Sequence, residues 1–283
     1  MKKSVLLSLA AATMFTFTAQ AQSIKTPAPS PGETVKQAFG LGDITLDYSR
    51  PLARGRVIFG DLVPYNAIWR TGANSATKIT FSDDVTFEGK AVKAGTYAFY
   101  TIPGKTSWEV MLTTDLVLGA NVADYPASQE VIRVKVQPVH LDNMVESFTM
   151  NLDKVAATSA ILQLSWEHTM VPINITTEID ARITKEIEKA MSPKDTRPYF
   201  QAANYYYEND KDLKQALAWS DKAIDQNPAY YVVHLKAKIQ MKMKDYKGAI
   251  LTAEKSKALA EAGKSADYVR LNEKLIEKAK SMK

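Results

Sequence analysis

The chain has 283 residues, 46% of them hydrophobic and 24% charged, which is enough for two ordinary domain cores. It contains no cysteine, so disulfides, thiolate chemistry and a lipid-modified N-terminal cysteine are excluded. Of the net charge of +5, Gln22 to Ile179 carries 13 basic and 16 acidic residues (−3), and Asp180 to Lys283 carries 21 and 15 (+6), a contrast expected of two domains.

Lys2 and Lys3 precede an uncharged apolar stretch, Ser4 to Thr18, and Ala19-Gln20-Ala21 then supplies the small-x-small pattern of a signal-peptidase site. Residues 1–21 read as a cleavable signal peptide. The apolar run is short of the ~20 residues a bilayer-spanning helix needs, and no later segment is apolar enough, so no membrane span is expected. The mature chain is expected in the periplasm or secreted, without lipid.

Pro27, Pro29 and Pro31 make residues 22–32 an extended leader. A β-rich domain follows over 33–178. Short runs rich in β-branched and aromatic residues recur at Ile44 to Tyr48, Lys78 to Phe81, Tyr97 to Ile102, Trp108 to Leu112, Val131 to Val136, Ser147 to Leu152, Ala160 to Trp166 and Val171 to Thr176. Many alternate in polarity, which places one set of side chains inward. Asp83-Asp84, Glu88-Gly89-Lys90, Lys93-Ala94-Gly95 and Pro103-Gly104-Lys105 supply turns. This spacing predicts an antiparallel sandwich or barrel.

From Asp180 the period becomes helical, and 179–283 reads as a small helical repeat domain, so the fold class is α+β. Ile183, Ile187 and Ala190 define one helix, stopped at Ser192-Pro193. Phe200, Ala203, Asn204 and Tyr207, then Leu213, Ala216, Ala223 and Pro228, resemble one tetratricopeptide unit. Leu213 to Tyr246 and Ala216 to Ala249 are both 33 positions apart, near the ~34-residue period of that repeat. The second copy departs from the pattern at Gln240, Lys244 and Glu261, and Ala266 to Met282 reads as a capping helix. Two repeats are marginal alone, so packing against the β domain is expected.

Between Tyr48 and Thr77 lies a stretch without strand periodicity: Tyr48-Ser49-Arg50-Pro51, then Gly55-Arg56-Val57-Ile58-Phe59-Gly60-Asp61-Leu62-Val63-Pro64-Tyr65, then Trp69-Arg70-Thr71-Gly72-Ala73-Asn74-Ser75-Ala76-Thr77. This string, with Gly89-Lys90, Ala94 to Tyr97, Ile102-Pro103 and Trp108 downstream, closely resembles the bacterial family catalogued as domain of unknown function 2911. The resemblance covers roughly Pro27 to Thr176. It implies an exported protein, sometimes with helical repeats behind the domain, and no activity to transfer.

The same stretch concentrates guanidinium groups, which bind carboxylate or phosphate in bidentate fashion, with aromatic rings that offer platforms to sugars or peptide. Arg50, Arg56, Trp69, Arg70, Thr71 and Asn74 are therefore the candidate ligand-binding residues, for a glycan or an anion. In the structural alternative, Arg50 and Arg56 pair with Asp43, Asp47 or Asp61, Gly55, Gly60 and Gly72 serve backbone angles, and Pro64 and Trp69 fill the sandwich end.

His140, His168 and His234 lack any metal-ligand spacing, and no nucleophile elbow or phosphate loop is present, so neither metal nor cofactor is expected. Trp166-Glu167-His168 reads as a strand end. Lys236, Lys238, Lys242, Lys244 and Lys247 do not form a single helical stripe, and no nucleic-acid partner is expected. The leading reading is a non-catalytic exported binding module, with the repeat helices contacting a protein or peptide. The rivals are a hydrolase acting on cell-wall or dietary glycan and a purely structural scaffold.

Overall fold

A computed structural model describes residues 26–192 and 197–282. The signal-peptide reading falls on residues outside these. The described residues divide into two compact units, one ending at Glu178 and the other beginning at Ile179.

The first unit holds ten strands: β1 (Gly32–Phe39), β2 (Gly42–Ser49), β3 (Thr77–Phe81), β4 (Val85–Phe87), β5 (Lys90–Val92), β6 (Gly95–Ile102), β7 (Trp108–Thr113), β8 (Glu130–Val136), β9 (Val139–Asp153) and β10 (Ser159–Thr176). They form a six-stranded antiparallel sheet, β1-β2-β3-β6-β7-β8, and a four-stranded one, β5-β4-β10-β9. Neither sheet closes, so the barrel alternative gives way to two open sheets. In β2, the pairing Leu46↔Ile79 and Ile44↔Phe81 puts apolar side chains on one face, as the alternating pattern predicts. Ile44, Leu46, Ile79, Phe99 and Leu112 of one sheet share a core with Phe87, Phe148, Leu162, Trp166 and Ile173 of the other.

Three strands were not legible in the sequence. The edge strand β1 pairs only with β2 and buries a single residue, Phe39, so its apolar signal is weak. The other two, β4 and β5, are three residues each. The strand end expected at Trp166-Glu167-His168 is a correction: β10 runs unbroken through it. The ladder with β9 shifts register on both sides of Glu167, which adopts a left-handed φ of 54°. A bulge bends a strand and leaves the polarity pattern out of step, and this mimics a terminus in sequence.

Residues 50–76 extend the ends of both sheets. Ala53 donates to Glu146 O (2.8 Å) and Phe148 to Pro51 O (2.9 Å) on one side. Trp69 and Thr101 exchange both backbone bonds (2.7 and 2.9 Å) on the other. This answers the backbone's demand for partners in a long non-repetitive segment.

The second unit holds α1 (Asp180–Ala190), α2 (Tyr199–Glu208), α3 (Leu213–Gln226), α4 (Tyr230–Lys242), α5 (Tyr246–Ala262) and α6 (Ala266–Ser281). The small residues Ala203, Ala216, Ala223, Ala237 and Ala249 are all buried, which lets helix axes approach closely. Asp212 caps α3 by accepting from the amides of Lys214 and Gln215. Gln240 is buried with its amide satisfied by Asp245 and Thr252 (3.0 and 2.7 Å), so a polar pair occupies a place where the repeat pattern has an aromatic. Lys244 takes φ 64°, the left-handed conformation a loop glycine would adopt without strain.

Candidate ligand site

Trp69 sits at the centre of an aromatic cluster. It stacks on Trp166 (5.9 Å, 18°) and meets Phe148, Phe59 and Trp108 edge to face at 5.2, 6.1 and 6.4 Å. Its indole Nε1 donates to Gly72 O (3.2 Å), which fixes the turn that follows. In that turn Thr71, Gly72 and Asn74 all have left-handed φ values of 55°, 144° and 58°. A Cβ on Gly72 would lie 3.1 Å from Ser49 O, so glycine answers both the angle and the close approach. Thr71 is β-branched and unsuited to its angle, at a cost on the order of 1–3 kcal/mol. Three contacts hold it there: it donates to Trp69 O (3.3 Å), meets the Thr101 hydroxyl at 3.0 Å, and accepts the Thr77 hydroxyl at its carbonyl.

This strained turn carries Arg70 on the wall of a cavity of ≈350 Å³. Trp69, Trp166, Pro51 and Pro64 give it apolar lining, and Arg56 lines it as well. No Asp or Glu lies among its lining residues. Arg56 donates from Nε to Ala53 O (3.0 Å) and from Nη2 to Leu52 O (2.7 Å), which orients the guanidinium, and no described residue bonds its Nη1. Arg70 differs. Its Nε is fully buried without a hydrogen-bond partner, the only such side-chain atom among the described residues of the β domain. No salt bridge with a described residue engages it either; its field reaches the phenol of Tyr100, whose pKa burial and Asp115 raise and Arg70 lowers. Two arginines thus line a partly apolar space with no carboxylate among the described residues that border it.

The structure brings Arg56, Trp69 and Arg70 to this cavity and sends the other three candidates elsewhere. Arg50 lies against Glu33 (3.3 Å) and donates to Phe148 O (3.1 Å) and to Thr149 Oγ1 (2.8 Å), tying β2 to β9. Neither Arg50 nor Arg56 pairs with Asp43, Asp47 or Asp61; Asp43 takes Lys36 and Asp47 takes the Thr34 hydroxyl. Thr71 is fully buried, and Asn74 binds Ser30 O and Ser49 Oγ, both at 3.1 Å. Trp166 was missed as a lining residue because its inward alternation in a strand identifies core and gives no hint of a cavity wall. His140 and His168, far apart in sequence, stack at 5.6 Å across β9 and β10, with His168 Nδ1 donating to Leu141 O (2.9 Å). Among the described residues no group of three or more metal-binding side chains converges.

No curated protein and no solved structure matches the chain. A family model described as "Protein of unknown function (DUF2911)" matches residues 30–175, just over half of the chain and the whole of the segment that builds the cavity. The chain belongs to the DUF2911 family.

Proposed function

We propose that the β domain is a non-catalytic binding module of an exported protein, taking a small anion with a flat or apolar body into the Arg56/Arg70 cavity. The buried, unpartnered Nε of Arg70 carries the reading. The Arg70 Nε–H is withdrawn from water without an acceptor, a cost of about 1–3 kcal/mol that an anion or acceptor at that place would recover. Arg56 gives the same ligand a second cationic contact, and Trp69 and Trp166 add apolar lining that suits a ring. A glycan hydrolase would need two carboxyls about 5–10 Å apart at the site, and the lining residues include none.

The test is a thermal-shift screen of inorganic phosphate, galacturonate, benzoate and citrate against the wild-type chain, Arg70→Met and Arg56→Met. A ligand present at about 100 times its Kd stabilises the folded state by about 2.7 kcal/mol. That gain is expected in the wild type, reduced in Arg56→Met and absent in Arg70→Met. Equal stabilisation of Arg70→Met, or none of the four anions acting on the wild type, counts against the reading.

A further inference from the structure

Independently of the β domain, we propose that the helical unit carries a second site: a cleft between α2, α4 and α6 that takes an acidic, apolar-interrupted segment of a partner protein. The cleft has a volume of ≈430 Å³, and every charged residue lining it is a lysine. Lys238 and Lys242 stand one turn apart on α4, and Lys274 and Lys278 stand one turn apart on α6. Tyr207, Met241, Leu275 and Met282 supply the apolar part of the lining.

The two walls are not equivalent. On α4, Lys238 pairs with Glu208 (3.0 Å) and Lys242 with Asp210, and both ammonium groups lie over the Tyr207 ring at 4.5 and 4.8 Å. On α6, Lys274 and Lys278 form no ion pair with any described residue. The site therefore keeps an excess of positive charge beside an apolar floor, and thioether side chains adapt their shape to an incoming apolar group. One helical turn sets the lysines of each wall about 6 Å apart. Carboxylates two residues apart on an extended segment, at about 6.6 Å, match that interval. A peptide with acidic side chains to the α6 wall and an apolar one against Met241, Leu275 and Met282 satisfies the part of the lining that the described residues leave unpaired.

A nucleic acid satisfies less of it. The one aromatic ring available for base stacking, Tyr207, already has its face occupied by two ammonium groups.

The experiment is fluorescence anisotropy of a labelled peptide of repeated Glu-Glu-Leu triplets, titrated with the purified full chain. Peptides of Glu-Glu-Ser and Lys-Lys-Leu triplets and an oligothymidylate serve as comparators. The Glu-Glu-Leu peptide is expected to bind most tightly. The exposed double variant Lys274→Glu/Lys278→Glu should weaken it about tenfold or more. Lys274→Arg/Lys278→Arg should hold it within about threefold, and Arg70→Met should leave it unchanged. The proposal is overturned if the wild type does not bind, if the charge-reversed variant binds as wild type with an unaltered thermal midpoint, or if Glu-Glu-Ser peptide or oligothymidylate binds as tightly.

Discussion

Replacing Tyr48 by Phe removes one oxygen and tests how the two sheets are joined. The Tyr48 hydroxyl accepts the amide of Met150 on β9 (3.0 Å) and donates to the Glu33 carboxylate on β1. Met150 is fully buried, and the change removes the acceptor of its amide. A buried donor left unpaired costs about 1–3 kcal/mol, so the variant should lose that much stability at pH 7. Glu33 keeps Arg50 as a partner, which holds the loss within that range. The same site has a pH signature. Burial, reinforced by Glu33, pushes the Tyr48 phenol up to about 12 from 10. A raised pKa means the folded state holds its proton more tightly than the unfolded one. The associated stability is complete below pH 10 and is lost as pH rises towards 12, by on the order of 2–3 kcal/mol. Urea denaturation followed by circular dichroism at pH 7, 9, 10 and 11 should show wild type and Tyr48→Phe converging on the alkaline side. Equal stability at pH 7, or a gap that stays constant to pH 11, would refute the reasoning.

Arg70→Met should leave the unliganded protein as stable as wild type or stabilise it by about 1 kcal/mol, since it removes a buried Nε–H that has no acceptor; calorimetry of the free protein checks this. Trp69→Ala should cost about 3–5 kcal/mol, because the ring is buried among four aromatic neighbours, and a urea titration of the variant reads the loss directly. Gly72→Ala forces a Cβ onto a left-handed backbone 3.1 Å from Ser49 O and should lower the thermal midpoint, with a cost on the order of 1–3 kcal/mol. Asp212→Ala removes the acceptor of two amides at the start of α3 and should cost about 1 kcal/mol, read as lower helical signal retention on heating.

Period-two and helical spacing are local properties, and the elements that obey them were legible: the central strands through Ile44, Ile79 and Phe99, and the helices carrying Ala216 and Ala249. The weakly patterned β1 and the bulge at Glu167 were not, because pairing and register depend on a partner strand distant in sequence. The same distinction governs the site. The residue types of the 48–77 stretch marked it as unusual, but Arg50 and Arg70, twenty positions apart, have opposite fates. Glu33 and Thr149 meet Arg50 only after the sheets assemble, and nothing in the sequence around Arg70 records that its Nε ends without an acceptor. On α4 and α6 the relevant fact is that two pairs of lysines share one cleft, which a count of lysines along α4 alone cannot express.

The aromatic cluster also gives the molecule an optical property. Three of its four tryptophans, Trp69, Trp108 and Trp166, lie in one buried group within 6.4 Å of a neighbouring ring, and two of them border the cavity. The fourth, Trp219, packs on Tyr206 in the helical unit. Substituting Trp219 by Phe would confine the tryptophan emission to the β domain. The intrinsic tryptophan fluorescence of that variant then reports the integrity of the β domain, and would report a ligand taken up beside Arg70, with no label attached.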